Sequence, residues 1–260
     1  MEYIKLGNSD LNVSRICMGC MGFGDPRRGQ HTWTLDEAQT RNIIEQGLKS
    51  GINFFDTAIA YQSGTSEQYV GKAIRDMAHR DDVVIATKFL PRTDEEIEKG
   101  ISGQQHIEIM LNQSLQNLGM DHVDLYIYHM WDYRTPLYEI MDGLNRMVQQ
   151  GKTRYIGISN CFAWQLAKAN ALAEKEGFAK FITVQGHYNL IFREEEREMI
   201  TFCFLMAQGG CEPQLIAHTK GNMNMGNDAD FLRKVIAQCV PYIGYPRSLN
   251  AMTAVEKASQ

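Results

Sequence analysis

Four residues in this chain have the types and spacing to do chemistry together. An aspartate closes one short apolar run (NFFD, Asp56), and a tyrosine follows five residues later (Tyr61). A lysine closes a second run (VVIATK, Lys88), and a histidine closes a third (DLYIYH, His129). A carbonyl that accepts hydride at carbon needs a proton at oxygen, and a phenol supplies one once its pKa of about 10 is lowered. The Lys88 ammonium can lower it, Asp56 can keep that ammonium charged and placed, and the His129 imidazole can hydrogen-bond the oxygen as charge develops. Tyr61 is then the acid. Taken singly, each residue also has an ordinary reading: a solvated strand end, half of an ion pair, a satisfied core histidine, a rim aromatic. Four together at consecutive strand ends point to catalysis.

Such groups converge only if the runs they close are neighbouring strands. Short β-branched runs alternate with longer segments of helical period, which is the pattern of repeated βα units around a parallel sheet. Strands are predicted at residues 14–21, 52–55, 83–87, 123–128, 155–158 and 181–184, with helices beginning near Leu35, Ser66, Gln104, Pro136, Ala163 and Arg193. Thr34 with Glu37 reads as a capping box, and Pro136 stands where a first-turn proline belongs. Six units in about 200 residues have the unit size of an eight-unit barrel, whose working groups project from the C-terminal strand ends. The expected fold is therefore α/β: an incomplete (β/α)8 TIM-type barrel of about six units over residues 1–199.

Beyond residue 200 the pattern changes. An apolar helical run (TFCFLMAQ), a Gly-Gly break, a polar helix around 213–220 and an Asn/Gly turn lead into a long segment from Asp228 to Lys257. Pro241 and Pro246 would interrupt a central strand there and instead kink or divide helices. An all-helical segment is predicted over residues 200–260.

Composition narrows the function. The chain has 260 residues, 44% of them hydrophobic, enough to fill a sizeable core, so disorder is excluded. Lys and Arg number 26 against 31 Asp and Glu, and with a formal net charge of −5 and no basic block, neither nucleic acid nor an anionic membrane is an expected partner. There is no apolar run of about 18 residues and no signal-peptide pattern at the N-terminus, so a cytoplasmic location is expected. The six cysteines read as reduced thiols, and the lone C-x2-C of Cys17 and Cys20 is a poor metal ligand set, so no metal site is expected.

Residues 1 to about 199 resemble the aldo-keto reductase family. The matching motifs are the opening LG-x-S-x-L-x-VSRI-x-MG (Leu6 to Gly19), GINFFDTAIAYQSGTSE, ATK, LGMDHVDLYIYH, GKTRYIGISN and VQ-x-x-YNL. The resemblance implies an NADPH-dependent reductase of a small aldehyde or ketone, with Asp56, Tyr61, Lys88 and His129 in the catalytic roles. It also implies that Ser159, Asn160 and Gln185 hold the nicotinamide carboxamide, and that backbone at Met21 and Gly22 lines the cofactor along with Asp56. This family does not use the Rossmann glycine fingerprint, and the differently spaced Gly19, Gly22 and Gly24 read either as close backbone approach or as a simple turn.

Residues from about 197 to 257 resemble instead the C-terminal half of a carboxymuconolactone decarboxylase domain, a small helical fold. The two patterns meet between about 193 and 203. The seventh and eighth units, which in the reductase family wrap the pyrophosphate and grip the adenosine 2'-phosphate, are not found, so weak cofactor affinity is expected. In redox-active relatives of the second family a C-x2-C-x3-H arrangement reduces peroxides; here Cys211 and His218 flank Gln214, so the resolving thiol is missing. Three readings stay open: a working NADPH-linked reductase, a catalytically impaired fusion remnant acting as an oligomeric scaffold, and decarboxylase-like or peroxide chemistry of the tail. A six-strand sheet leaves two unpaired edges, and the helical tail or a second copy of the chain is the expected cover.

Overall fold

The chain begins with a small antiparallel hairpin, β1 (Tyr3–Lys5) and β2 (Asn12–Ser14), not with the start of a barrel strand. The expected strand over 14–21 therefore divides, because residues 15–17 bend away and only β3 (Met18–Gly19) joins the parallel sheet. This is a computed structural model, and it describes residues 1–186, 202–203, 205–224 and 226–259. The helix expected to begin near Arg193 lies outside the described residues.

After β3 come β4 (Phe54–Asp56), β5 (Val84–Phe89), β6 (Val123–Tyr128), β7 (Thr153–Ser159) and β8 (Phe181–Gln185). These six strands pair in chain order, each parallel to the next, in a curled sheet with β3 and β8 as its edges. The fold is the expected incomplete TIM-type barrel followed by helices. Strand alternation sorts the side chains. Phe54, Val84, Ala86, Leu125 and Ile127 point to one face and close on Leu11 and Val13 of the hairpin, which plugs the sheet from its N-terminal side. Phe89, Tyr126 and Tyr128 take the opposite face, where Phe89 stacks on Tyr126 at 4.8 Å and the Tyr126 hydroxyl donates to Ile107 O of a covering helix. Each such buried aromatic contributes about 1.5–3 kcal/mol of apolar transfer.

The covering helices are α1 (Glu37–Lys49), α2 (Thr65–Met77), a short α3 (Asp94–Glu98), α4 (Gly103–Leu118), α5 (Leu137–Gln149) and α6 (Ala163–Glu176). Their starts correct two expectations. The cap of α1 is Asp36 with Gln39, not Thr34 with Glu37: Asp36 accepts from the Gln39 amide, while the Thr34 hydroxyl donates back to His31 O. Pro136 is the N-cap itself, with extended ψ of 132°, and the first helical turn starts at Leu137.

The described chain groups into two compact units. One holds Met1–Asn160 and Ala169–Gln185, and the second gathers Cys161–Lys168 with the described residues from Gly186 on. The second unit contains helical residues 205–208, then α7 (Glu212–Asn224), α8 (Ala229–Ile243) and α9 (Tyr245–Ala258). Asp228 caps α8 through the Phe231 amide; Pro241 falls in its last turn, Gly244 leaves it at φ 79°, and Pro246 opens α9. The two prolines thus divide helices, as expected from their inability to serve a central strand. Phe202, Met206, Leu215, Leu232, Ile236, Ala251, Ala254 and Val255 make this unit's own apolar core.

Candidate active site

Asp56, Lys88 and His129 arrive at one place for a simple reason of register. Asp56 is the last residue of β4, Lys88 lies next to last in β5, and His129 directly follows β6; in the ladder Asp56 pairs with Ala86 and Lys88 with Ile127. With alternation of two, all three side chains continue the inner face that Phe54, Ala86 and Ile127 occupy below them. Tyr61 comes from the turn after β4, whose residues Tyr61–Gly64 run through left-handed backbone at Gln62 (φ 48°) and Ser63 (φ 53°).

The Lys88 ammonium is the hub. It is 2% exposed and donates to Asp56 Oδ2 at 2.7 Å, to Thr57 O at 2.8 Å and to the Tyr61 hydroxyl at 3.1 Å. Three donors meet three acceptors, so the buried cation is saturated. Burial works against its charge, but the Asp56 carboxylate and the Tyr61 oxygen outweigh burial, and the ammonium's pKa is raised above its ordinary value. The ammonium lies 4.8 Å from the Tyr61 ring centre, and the His129 ring meets that ring edge-on at 5.9 Å and 82°. His129 is pushed down to about 4, first by burial and second by the charge of Lys88, so near neutral pH it is an uncharged imidazole. Its Nδ1 is buried without a hydrogen-bond partner.

The amide and hydroxyl set lies beside this centre. Gln185, the last residue of β8, donates from Nε2 to the second Asp56 oxygen at 3.2 Å. Ser159 Oγ donates to Gln185 O at 3.0 Å, and Asn160, in left-handed backbone at φ 48°, donates from Nδ2 to His129 O at 2.9 Å and to Ser159 Oγ at 3.0 Å. Met21 and Gly22 follow β3, whose Gly19 pairs with Asp56, and Cys20 N donates to Asp56 O at 2.8 Å. Every residue expected at the site from the sequence is therefore brought to the C-terminal end of the same sheet. A primary carboxamide presents one carbonyl and one NH2, and the Ser159, Asn160 and Gln185 side chains carry donors and acceptors of both kinds, so this chain's residues fit the nicotinamide end of NADPH.

Two contributors escaped sequence reasoning. The Thr57 carbonyl is a backbone group with no residue signature. Gln62 is 1% exposed and bonds the loop of Asp25 to His31, and only its position directly after Tyr61 could have drawn notice.

Among the described residues no group of His, Cys, Asp and Glu could hold a metal ion. Cys20 is buried and its pKa is raised well above the ordinary thiol value, first by burial and then by the Asp56 charge, which keeps it a protonated packing residue. In the second unit, Cys211 precedes α7 and donates from Sγ to Leu205 O at 3.3 Å, while His218 lies within α7.

Comparison with known proteins agrees with this geometry. Residues 15–208 match the Aldo/keto reductase family, and residues 192–257 match the Carboxymuconolactone decarboxylase family. The chain is 38% identical over 221 residues to versiconal hemiacetal acetate reductase of Aspergillus parasiticus, covering 78% of this chain and 64% of that protein. It is 31% identical over 205 residues to aryl-alcohol dehydrogenase [NADP(+)] of Phanerodontia chrysosporium, covering 74% and 52% respectively. A solved aldo-keto reductase from Bacillus halodurans, in its holo form, superposes with a TM-score of 0.59 at 30% identity, over 78% of this chain and 62% of that one. The chain thus spans between half and two thirds of the length of these relatives. With the family matched over most of its length and the Asp56, Tyr61, Lys88 and His129 cluster at the strand ends, this chain belongs to the aldo/keto reductase family.

Proposed function

We propose that the protein reduces an aldehyde or ketone to an alcohol with NADPH, Tyr61 giving the proton. The observation that carries this reading is the Lys88 ammonium bridging Asp56 and the Tyr61 hydroxyl in a buried setting. When bound, NADPH supplies the hydride that the carbonyl carbon accepts. Tyr61 delivers its phenolic proton to the carbonyl oxygen, and the 3.1 Å contact with Lys88 stabilises the phenolate that remains. His129, neutral and edge-on to the Tyr61 ring, donates a ring N–H to the same oxygen as negative charge builds on it. Asp56 keeps Lys88 charged through Oδ2 and holds Gln185 through Oδ1, so the proton-donating and carboxamide-binding groups share one anchor. The similarity to an aryl-alcohol dehydrogenase favours aryl carbonyls as the substrate class. A cytoplasmic location is part of the proposal, and no helix among the described residues is long and apolar enough to cross a membrane.

Affinity is where a second reading enters. Among the described residues no strand follows β8, and the segment from 192 matches another family. The phosphate and adenosine contacts of a complete barrel would then be missing, at a cost of about 1.4 kcal/mol for each tenfold in Kd. On this second reading the chain is a catalytically impaired fusion whose open sheet edge or helical tail mediates self-association. Isothermal titration with NADPH separates the two: saturable heat at or below millimolar cofactor supports the reductase, and none at any accessible concentration supports the scaffold. Decarboxylase-like chemistry of the tail ranks third, and a His218→Ala variant that loses such an activity would be required to raise it.

A further inference from the structure

Gln62 is buried, sits in strained backbone and spends its whole side chain on one loop. Its Nε2 shares two hydrogens among three carbonyls, Asp25 O at 2.9 Å, His31 O at 2.7 Å and Arg28 O, while its Oε1 accepts from His31 N at 2.9 Å. The neighbouring Thr65 completes the clasp: its hydroxyl accepts from Asp25 N at 3.0 Å and donates to Gln62 O at 2.7 Å. The loop is shaped to receive the amide. Gly24 (φ 128°) and Gly29 (φ 82°) lie so close that an added Cβ at either would fall 2.6 Å from Gln62 Cβ or Cα. Left-handed φ at a non-glycine residue persists only where surroundings over-determine it, and here the loop supplies them.

The clasped loop ends in an aromatic pair. The His31 and Trp33 rings lie 4.9 Å apart at 32°, Trp33 is 58% exposed, and its ring edge is 3.6 Å from where a Cβ on Gly22 would stand. Leu35 N donates to Gly22 O at 2.8 Å, which ties the far end of the loop to the C-terminal end of β3 beside Asp56. One side chain, directly next to Tyr61, therefore holds the loop that carries a half-buried His31 and an exposed Trp33 packed towards Gly22.

We propose that Gln62 is a positioning residue that fixes the 25–33 loop so that His31 and Trp33 form a wall of the carbonyl pocket, selecting aryl over small aliphatic carbonyls. This rests on the reductase reading above. Ring stacking gives an aryl substrate an interaction that a short alkyl aldehyde cannot make, and the wall is useful only if the loop is held.

The test compares wild type with Gln62→Leu, which keeps the volume and removes every polar contact, and with Gly29→Ala, which disturbs the same clasp from the exposed loop and decides the matter if Gln62→Leu does not fold. Amide exchange over 25–33 is expected to speed by about tenfold or more in the variants, with α4 and β6 unchanged. KM for benzaldehyde is expected to rise about tenfold with kcat within about threefold, and KM for propanal to change little. Unchanged exchange overturns the clasp. Faster exchange with equal losses for both aldehydes, or losses in kcat alone, overturns the pocket-wall role. A wild-type chain that binds NADPH but reduces neither aldehyde overturns the reductase reading and the pocket role with it, while exchange still decides the clasp.

Discussion

The same sheet carries a buried carboxylate–cation arrangement at each end, and the two are built differently. At the N-terminal end Asp124, 3% exposed, accepts from Ile85 N at 2.9 Å and pairs with Arg80 at 2.8 Å and Arg154 at 3.3 Å, so both its oxygens are engaged. At the C-terminal end Asp56 and Lys88 are equally close, at 2.7 Å, yet they face a phenol and a neutral imidazole with an unpartnered nitrogen. In the first cluster both carboxylate oxygens are taken by two arginines and a backbone amide, with Arg80 Nε left over; in the second the carboxylate–cation pair is shared with a phenol that carries its own transferable proton. On the proposed function, placement at opposite ends of parallel strands gives the first to stability and the second to chemistry.

The largest effect expected from this contrast is on rate. Lys88→Met should lower kcat about 10³-fold or more, as loss of a positioned proton-transfer group does, and Tyr61→Phe should match it in steady-state carbonyl reduction. Activity surviving both changes would remove the site from the C-terminal end. Next comes stability. Asp124→Asn leaves two arginines short of a carboxylate and should cost about 3 kcal/mol, read as a lowered urea midpoint, with kcat per folded molecule nearly unchanged; a loss of rate without a loss of stability would invert the assignment.

A smaller effect concerns pH. His129 in the folded chain takes a proton only near 4, whereas in the unfolded chain it does so near the ordinary 6.5. The unfolded state binds more protons between these values, so the histidine's contribution is fully present above about 6.5 and is lost as pH falls toward 4. After screening at a partly exposed ring this amounts to about 1–2 kcal/mol. The difference in urea stability between wild type and His129→Asn should change with pH over that window and be flat above it; a difference that is flat throughout would contradict the lowered pKa of His129. Smallest is the exposed pair of Arg15 with Glu2, where Arg15→Ala should shift stability by less than about 0.5 kcal/mol.

Much of the site was legible because strand period and residue type act together. VVIATK and DLYIYH each place a polar residue after a short apolar run, and register does the rest. The helix starts were less legible, since capping is decided by which oxygen reaches the first amides: Thr34 looked eligible but turns back to His31, leaving Asp36 to cap. The N-terminal hairpin was hidden because NVS merges by composition with the strand after it, although GNSD between YIK and NVS carries a turn signal. Gln62 was invisible for a different reason. Its partners are backbone groups from 31 to 37 positions away, and no residue type announces a carbonyl.

The reductase account stands or falls most directly on NADPH oxidation driven by benzaldehyde, followed side by side for wild type and Tyr61→Phe at saturating cofactor. The account predicts turnover in the wild type and a loss of about 10³-fold in the variant. Equal rates in the two proteins, or no oxidation by a wild type that demonstrably binds NADPH, would contradict it.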